Sequence, residues 1–340
     1  MQRDRGRRAG VDRVALARST RAEPLWRRIH TDRRAGGFGR LRYNRGFWPS
    51  TMSATLLDGR AIAEEIRAAL KVRAARLHDR GVRPTLAALM VGENPASQVY
   101  VRSKAQACEG IGIRSTLARF PADAREETLL EHIAALNADP SVHGVLIQLP
   151  LPRHLDMRDM LEAVAPEKDV DGFRFQHLGA LLIGTETYPP CTPYAVVRML
   201  EHENIPIARR HAVVVGRSTI VGKPLALMLL ARDATVTVCH SRTPDLAGFT
   251  RQADILAVAA GKPRLITADM VKPGAVVVDV GINRPAGGRI VGDVDFDGVR
   301  EVASRITPVP GGIGPMTITM LLENTLRAAE RALVPVQAGP

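Results

Sequence analysis

Helical and strand-like patterns of apolar residues alternate along the chain from about residue 58 onward. Asp58 can cap a helix that runs to about His78, because apolar residues recur there at helical spacing and Gly81 ends the pattern. Residues 84–92 form a short apolar run between a proline and a glycine, which predicts a buried strand. The alternation continues with a helix from Asn94, a strand near 113–120, a helix near 125–136 and a strand at 144–149.

A second series of strands and helices follows Pro206. Alternating strands and helices predict parallel sheets that are covered on both faces. A chain of 340 residues is also longer than one hydrophobic core usually supports. The pattern therefore predicts an α/β fold with two domains. The predicted strands of the second series are 211–216, 234–240, 254–260 and 275–282, with helices at about 223–231 and 315–329.

The helix that begins at Asn94 carries the first candidate chemistry. Pro95 suits its first turn, and Gly110 and Gly112 mark its end. Tyr100 and Lys104 are four residues apart and therefore project from the same side of the helix. A ring beside an amine can hold a flat substrate and move a proton, whereas a core tyrosine beside a surface lysine is the plain structural alternative. The predicted apolar stripe consists of Ala96, Val99, Tyr100, Ser103 and Ala107.

Gln148 is the only polar residue in the predicted strand 144–149, and it lies near the carboxyl end, where open α/β sheets bind ligands. A buried glutamine needs partners for its amide, and a lysine amine or the edge of a heterocycle can supply them. The alternative is an edge residue that faces water.

Two acidic segments resemble calcium loops but fail in detail. The first segment, residues 166–173, includes Asp169 and Asp171. If it began a calcium loop, the position that requires glycine would be the next residue, Arg174. In the segment from Asp293, the twelfth position is Ser304, where a glutamate is needed. We therefore predict acidic turns and no metal.

The second series contains a candidate dinucleotide site. Gly216 and Gly222 lie between a strand and a helix, and the amides of a helix N-terminus suit a pyrophosphate, although the spacing is not the usual glycine fingerprint. About 20 residues later, Ser241 and Arg242 stand where enzymes that use NAD carry an acidic residue. A hydroxyl and a guanidinium favour a 2′-phosphate and therefore NADP. A βαβ unit without a cofactor is the alternative.

Most of the formal charge of +12 belongs to residues 1–51, which hold fourteen arginines against four acidic residues. The remaining 33 basic and 31 acidic residues nearly balance. We expect the leader to be disordered. Three interpretations remain open: an upstream extension with translation starting at Met52, a transit-like segment, or an arm that binds nucleic acid.

The cysteines and the hydropathy of the chain indicate the compartment in which the protein works and whether it spans a membrane. The three cysteines are far apart and lack the paired spacing of zinc sites or redox motifs, which fits a reducing compartment. No apolar run approaches the roughly 20 residues that a membrane-spanning helix needs.

Together these motifs resemble the bifunctional methylenetetrahydrofolate dehydrogenase/methenyltetrahydrofolate cyclohydrolase family. The resemblance covers about residues 53–333 and rests on the Tyr100–Lys104 helix and five further segments. It implies an N-terminal α/β catalytic domain, an NADP-binding Rossmann-type domain, and a C-terminal helix that returns to the first. The implied division is a leader at 1–51, a folate-binding catalytic domain at 53–190 plus 313–333, and an NADP-binding domain at 191–312. The five further segments are 145–152, 166–173, 216–224, 235–243 and 308–317.

The resemblance also implies residue roles. Lys104 would be the central proton-transfer residue, and Gln148 would hold its amine. Tyr100 would stack on the aminobenzoyl group, and Asp171 would bond to the pterin. The implied NADP contacts are Gly216, Arg217, Ser218, Ser241 and Ile282. The implied substrate contacts also include Ile147, Leu149, Pro308, Gly311, Gly312 and Pro315.

The implied activity is oxidation of 5,10-methylenetetrahydrofolate with NADP, followed by hydrolysis of the methenyl product to 10-formyltetrahydrofolate. The family further implies a cytoplasmic homodimer in one-carbon metabolism and purine biosynthesis. Two alternatives remain at this stage: a dehydrogenase with weak cyclohydrolase activity, and a nucleic-acid-binding protein with a basic arm and a vestigial α/β body.

Overall fold

Two parallel β-sheets organise residues 53–185, 187–285 and 288–333, which are the residues that the computed structural model describes. The basic leader lies outside these ranges. The strands are β1 (Thr55–Leu56), β2 (Thr85–Val91), β3 (Arg114–Phe120), β4 (Gly144–Ile147), β5 (His211–Val215), β6 (Thr235–Cys239), β7 (Ile255–Val258), β8 (Val276–Asp279) and β9 (Arg305–Ile306). The helices are α1 (Gly59–Asp79), α2 (Pro95–Ile111), α3 (Glu126–Ala138), α4 (Met157–Ala163), α5 (Phe175–Leu182), α6 (Cys191–His202), α7 (Gly222–Leu230), α8 (Leu246–Thr250), α9 (Phe296–Arg300) and α10 (Ile313–Ala332).

The first sheet has three strands in the order β3-β2-β4, and all pairs are parallel. Every residue of the central strand β2 is buried, as its uninterrupted apolar sequence predicts. The helix before it begins as predicted, because the carboxylate of Asp58 accepts hydrogen bonds from the amides of Arg60 (2.9 Å) and Ala61 (3.3 Å). The predicted α/β architecture of this part is confirmed.

The predicted start of α2 is confirmed, but its predicted apolar stripe is wrong. Asn94 Oδ1 accepts a hydrogen bond from the amide of Ser97 at 3.2 Å, which caps the helix. Val99 is 65% exposed, whereas Val101, Lys104 and Cys108 are buried. The helix offers two stripes of small and apolar residues, and the one that packs against the sheet includes the lysine. Gly110 lies within the helix.

The second sheet has six parallel strands in the order β1-β9-β8-β7-β5-β6. The two short strands at one end of this sheet, β1 and β9, were not predicted, because two residues are too few to show a period. They pair Thr55 with Arg305 and Leu56 with Ile306, so the first described strand joins the second sheet. The predicted strand 275–282 is too long: β8 ends at Asp279, and Ile282 lies in the loop that follows.

The last helix, α10, packs on α1 and α6, which confirms its predicted return. Fully buried Asn324 donates from Nδ2 to the carbonyl oxygens of Val170 (2.9 Å) and Pro189 (3.1 Å). These bonds join the final helix to the acidic turn and to the segment before α6.

The start of α1 and the loop before α10 meet backbone to backbone at Gly59. A Cβ atom at Gly59 would lie 1.8 Å from the carbonyl oxygen of Gly312. Because the obstacle is main chain, a side chain here requires the loop to move. Gly59 thus fixes the position of the loop 308–312.

We expect Gly59→Ala to lower the free energy of unfolding by about 1–3 kcal/mol, the usual cost of overpacking. The matched control is Gly110→Ala on α2, where an added Cβ meets nothing within 4 Å. Alanine there should stabilise the protein by about 0.5–1 kcal/mol. Urea unfolding measures both variants, and equal stability of the two would contradict the close approach.

Candidate active site

Lys104 and Gln148, 44 residues apart in sequence, form a buried pair. Lys104 Nζ donates to Gln148 Oε1 at 3.2 Å, and the two residues are only 7% and 8% exposed. Gln148 Nε2 donates to the carbonyl oxygen of Leu149 at 2.7 Å, which fixes which way the amide points. The alternatives of a surface lysine and a water-facing glutamine are therefore wrong. The pair arises because the buried face of α2 meets the carboxyl end of β4.

Tyr100 covers the amine from one side. Lys104 Nζ lies 4.6 Å from the centroid of the Tyr100 ring, a distance typical of a cation–π contact. Burial raises the pKa of the Tyr100 phenol, so the ring stays neutral at physiological pH. The predicted placement of ring and amine on one side of the helix is confirmed.

Burial shifts the pKa values of Lys104 and Asp171 in opposite directions. It lowers the pKa of Lys104, and the negative charge of Asp171 only partly opposes this effect. It raises the pKa of Asp171 to about 6, again against the influence of Lys104. At neutral pH, Asp171 is therefore largely ionised, while the amine of Lys104 loses its proton more easily than a lysine in water.

Asp169 shapes the turn that presents Asp171. Its carboxylate accepts hydrogen bonds from the amides of Gly172 (3.0 Å) and Arg174 (2.9 Å). Gly172 has a φ of +73°, and a Cβ there would lie 2.3 Å from the carbonyl oxygen of Tyr188. This turn-forming role of Asp169 was not predicted from the sequence, although an aspartate three residues before a glycine is a typical turn signal.

The loop 308–312 and the first residues of α10 border two cavities. A cavity of about 160 Å³ is enclosed by this loop, by Arg60 and by residues 280–282, which include the exposed Ile282. A second cavity, of about 640 Å³, lies between α1, α2 and the start of α10, and both Tyr100 and Pro315 line it. Pro308, Gly311 and Gly312 line the first cavity.

Ile147 and Leu149 differ in their surroundings. The side chain of Ile147 packs in the core with Leu89 and Leu129, whereas Leu149 is partly exposed beyond the end of β4. Of these two candidate substrate contacts, the structure leaves only the side chain of Leu149 accessible.

The glycine turn after β5 is packed closely against neighbouring main chain. Gly216 has a φ of +131°, and a Cβ there would lie 2.2 Å from the carbonyl oxygen of Ala259. A Cβ at Gly222 would lie 2.2 Å from the carbonyl oxygen of Gly216, so the turn closes against the start of α7. Ser218 Oγ accepts from the amides of Val221 (3.1 Å) and Gly222 (3.3 Å). Arg217 and Ser218 are exposed at this edge.

The other candidate cofactor residues lie along the same edge of the sheet. β6 pairs with β5, and exposed Ser241 and Arg242 follow it in a turn closed by a hydrogen bond from Thr243 N to the carbonyl oxygen of His240 at 2.8 Å. Ile282 follows β8 and is 64% exposed. A glycine turn, a helix N-terminus and an exposed guanidinium fit a dinucleotide with a 2′-phosphate.

Within the described ranges, no group of three or more acidic, histidine or cysteine side chains is arranged to hold a metal ion. In the same ranges, no helix has the length and apolar character needed to cross a membrane. All three cysteines are buried free thiols.

We expect Gln148→Glu to raise the pKa of Lys104, because a carboxylate in place of the amide favours the charged amine. The control Gln148→Met removes the hydrogen-bond acceptor without adding charge and should leave the pKa low. Lysine side-chain NMR titration of the two variants and the parent measures the difference. An unchanged titration in Gln148→Glu would show that the amine is not held by residue 148.

Comparison with known proteins agrees with this geometry. Residues 57–171 match the catalytic domain of tetrahydrofolate dehydrogenase/cyclohydrolase, and residues 190–333 match its NAD(P)-binding domain. The chain is 60% identical over 281 residues to the bifunctional protein FolD of Paracidovorax citrulli, covering 83% of this chain and 99% of that protein. It is 58% identical over 284 residues to the FolD of Bordetella avium, covering 84% and 100%.

Two solved structures are similar along nearly their whole length. The bifunctional FolD methylenetetrahydrofolate dehydrogenase/cyclohydrolase of Campylobacter jejuni is 50% identical, with a TM-score of 0.81 over 83% of this chain and 100% of that one. The Trypanosoma brucei FolD, solved with NADP and an inhibitor, is 40% identical, with a TM-score of 0.80 over 83% and 99%. This chain belongs to the tetrahydrofolate dehydrogenase/cyclohydrolase family.

Proposed function

We propose that this protein oxidises 5,10-methylenetetrahydrofolate to 5,10-methenyltetrahydrofolate with NADP and then hydrolyses the product to 10-formyltetrahydrofolate. The observation that carries the proposal is the buried hydrogen bond between Lys104 and Gln148 beside Tyr100. Similarity to bifunctional FolD proteins over the body of the chain supports both activities over a dehydrogenase with weak hydrolysis. It likewise disfavours a vestigial body with a basic arm.

Lys104 is the proposed proton carrier for hydrolysis. Water adds to the methenyl carbon, and a neutral amine can take the proton that the water loses as its oxygen bonds to that carbon. The bond from this carbon to N5 then breaks, and its electron pair stays on N5, which takes up a proton. The hydroxyl on the carbon loses its own proton in the same step and becomes the formyl C=O. The lowered pKa of Lys104 makes its neutral form available, and Gln148 holds the amine in place.

Tyr100 and Asp171 are the proposed platform for the folate. The neutral ring of Tyr100 can stack on the aminobenzoyl group. The carboxylate of Asp171, ionised at neutral pH, can accept hydrogen bonds from the N–H groups of the pterin. Leu149 and the backbone at Ile147 would border the pterin. The loop residues Pro308, Gly311 and Gly312, with Pro315 in the first turn of α10, would border the rest.

Bound NADP would supply the acceptor for the hydride that leaves the methylene carbon. In our proposal the pyrophosphate lies on the turn from Gly216 through Arg217 and Ser218, where the backbone can approach it closely. Ser241, with the adjacent Arg242 guanidinium, would bind the 2′-phosphate. Ile282 would contact the nicotinamide side from the loop after β8.

We also propose that residues 53–190 and 313–333 form the catalytic domain and that residues 191–312 form the NADP-binding domain. Strand β1, near the start of the catalytic domain, pairs with β9 of the second sheet. The assembly proposed is a homodimer, as the family resemblance implies. No nucleic-acid partner is proposed for the body, because its charges nearly balance, and such a role stays open only for the basic leader. A cytoplasmic enzyme of one-carbon metabolism that supplies purine biosynthesis is the proposed setting. Three free cysteines suit such a reducing compartment.

We expect Lys104→Met to lower the cyclohydrolase rate by about 10²–10⁴-fold, the usual contribution of a general acid or base. The loss of methenyl absorbance without NADP measures this step. Lys262→Met, at an exposed lysine, is the control and should hydrolyse at the parent rate. Undiminished hydrolysis by Lys104→Met would remove the lysine from the mechanism.

We expect Ser241→Asp to reduce kcat/KM for NADP relative to NAD by about tenfold or more, because the new carboxylate repels a 2′-phosphate and can accept from a 2′-hydroxyl. Dehydrogenase assays with both cofactors give the ratio. Hydrolysis of the methenyl substrate, which needs no cofactor, serves as the internal control for folding. A ratio equal to that of the parent would place the 2′-phosphate elsewhere.

A further inference from the structure

Two buried aspartates outside the Lys104 region have no part in the mechanism above. Asp279, at the end of β8, is 3% exposed, and Asp293 is fully buried. A buried carboxylate is costly unless its oxygens accept hydrogen bonds. Where those hydrogen bonds come from therefore indicates what the two residues hold.

Both carboxylates are saturated by N–H donors from loops. Asp279 Oδ1 accepts from the amides of Gly281 and Asp293, each at 2.9 Å, and its Oδ2 accepts from the amide of Val294 at 2.9 Å. Asp293 Oδ2 accepts from the amides of Ala260 (2.6 Å) and Gly261 (2.8 Å). Its Oδ1 accepts from Asn283 Nδ2 at 2.8 Å.

Four of the six donors belong to loops at the carboxyl ends of neighbouring strands, whereas the amides of Asp293 and Val294 belong to the segment that carries Asp293 itself. Residues 259–261 follow β7, and residues 280–283 follow β8. The end of β9 is joined as well, because Thr307 Oγ1 accepts from the amide of Asp279 at 2.7 Å. The aspartate pair thus ties together three loops on one edge of the sheet.

The same loops border the proposed cofactor site. Ala259 is the residue against which the Gly216 turn closes, since a Cβ at Gly216 would lie 2.2 Å from its carbonyl oxygen. The loop 280–283 carries the exposed Ile282. A shift of either loop would therefore move a surface on which the dinucleotide is proposed to lie.

Both carboxylates are packed closely against glycines. A Cβ at Gly281 would lie 2.3 Å from Asp293 Cγ, and a Cβ at Gly292 would lie 1.8 Å from Asp279 Oδ2. Burial raises the pKa of Asp279 to about 6, and the neighbouring Asp293 adds to this rise, while the amide hydrogen bonds oppose it. At neutral pH the carboxylate form of Asp279 accepts all of its amide bonds.

We propose that Asp279 and Asp293 are positioning residues for the dinucleotide: they hold the loops 259–261 and 280–283 in the shape that binds NADP. The proposal rests on the proposed function. It separates the two activities, because oxidation needs the dinucleotide and hydrolysis does not. Loss of the pair should therefore weaken cofactor binding and spare the chemistry at Lys104.

The test is Asp279→Asn in the full chain. An asparagine can keep the bonds at one oxygen, but its NH₂ group would face the amide of Val294, donor against donor. We expect the Kd for NADP, measured by isothermal titration calorimetry, to rise about tenfold, in the range set by one unsatisfied buried hydrogen bond. Hydrolysis of methenyltetrahydrofolate without NADP should stay within about twofold of the parent.

Hydrogen exchange of the cofactor-free protein gives a readout independent of activity. Amides in 259–261 and 280–283 should exchange faster in Asp279→Asn, whereas those of α2 should not change. Asp297→Asn is the matched control, an exposed aspartate close to Asp293 in sequence, and should match the parent in all three measurements.

A second variant covers the case in which Asp279→Asn does not fold. Asn283→Ala removes one donor to Asp293 at a partly exposed position, and we expect it to raise the Kd for NADP about threefold. Parent-like NADP binding in the folded variants would overturn the proposal, as would a parallel loss of hydrolysis. A parent protein that neither binds nor reduces NADP would instead refute the proposed function.

Discussion

A buried amine whose hydrogen-bond partner is neutral is the constraint on which the catalytic region depends. A carboxylate beside Lys104, or open solvent around it, would keep the amine protonated. The Gln148 oxygen accepts a hydrogen bond from the amine without adding charge, and Asp171 only partly opposes the desolvation. The buried face of α2, the end of β4 and the acidic turn thus together set the pKa of the Lys104 amine.

Main chain meets main chain at three glycines that border the proposed binding sites. Gly59 meets Gly312, Gly172 meets the carbonyl of Tyr188, and Gly216 meets Ala259. Each contact joins segments far apart in sequence at the rim of the proposed binding sites. Loops held in this way can border a ligand without side chains of their own filling the space.

Much of the fold could be predicted because its long elements carry their period locally. Local signals failed for β1 and β9, which are too short to show a period, and for the face of α2, where two stripes compete. The Tyr100–Lys104 pair could be found because four residues on a helix set its geometry. The bond from Lys104 to Gln148 depends on how α2 packs on the first sheet, so sequence alone left it open. From the sequence, Asp293 was predicted only to lie in an acidic turn. Hydrogen bonds between a side chain and distant backbone do not produce a periodic pattern in the sequence.

The contacts of the last helix bear on how the enzyme is made. During synthesis the segments that carry Lys104, Gln148 and Asp171 leave the ribosome long before Asn324, whose amide bonds to the main chain at Val170 and Pro189. The face of α1 that α10 covers also stays open until then. The N-terminal part therefore emerges with its reactive residues present but without the support that completes their surroundings. A nascent chain becomes a folate enzyme only in the final stretch of translation, and a product that ends before Asn324 would hold every proposed catalytic residue without a finished site.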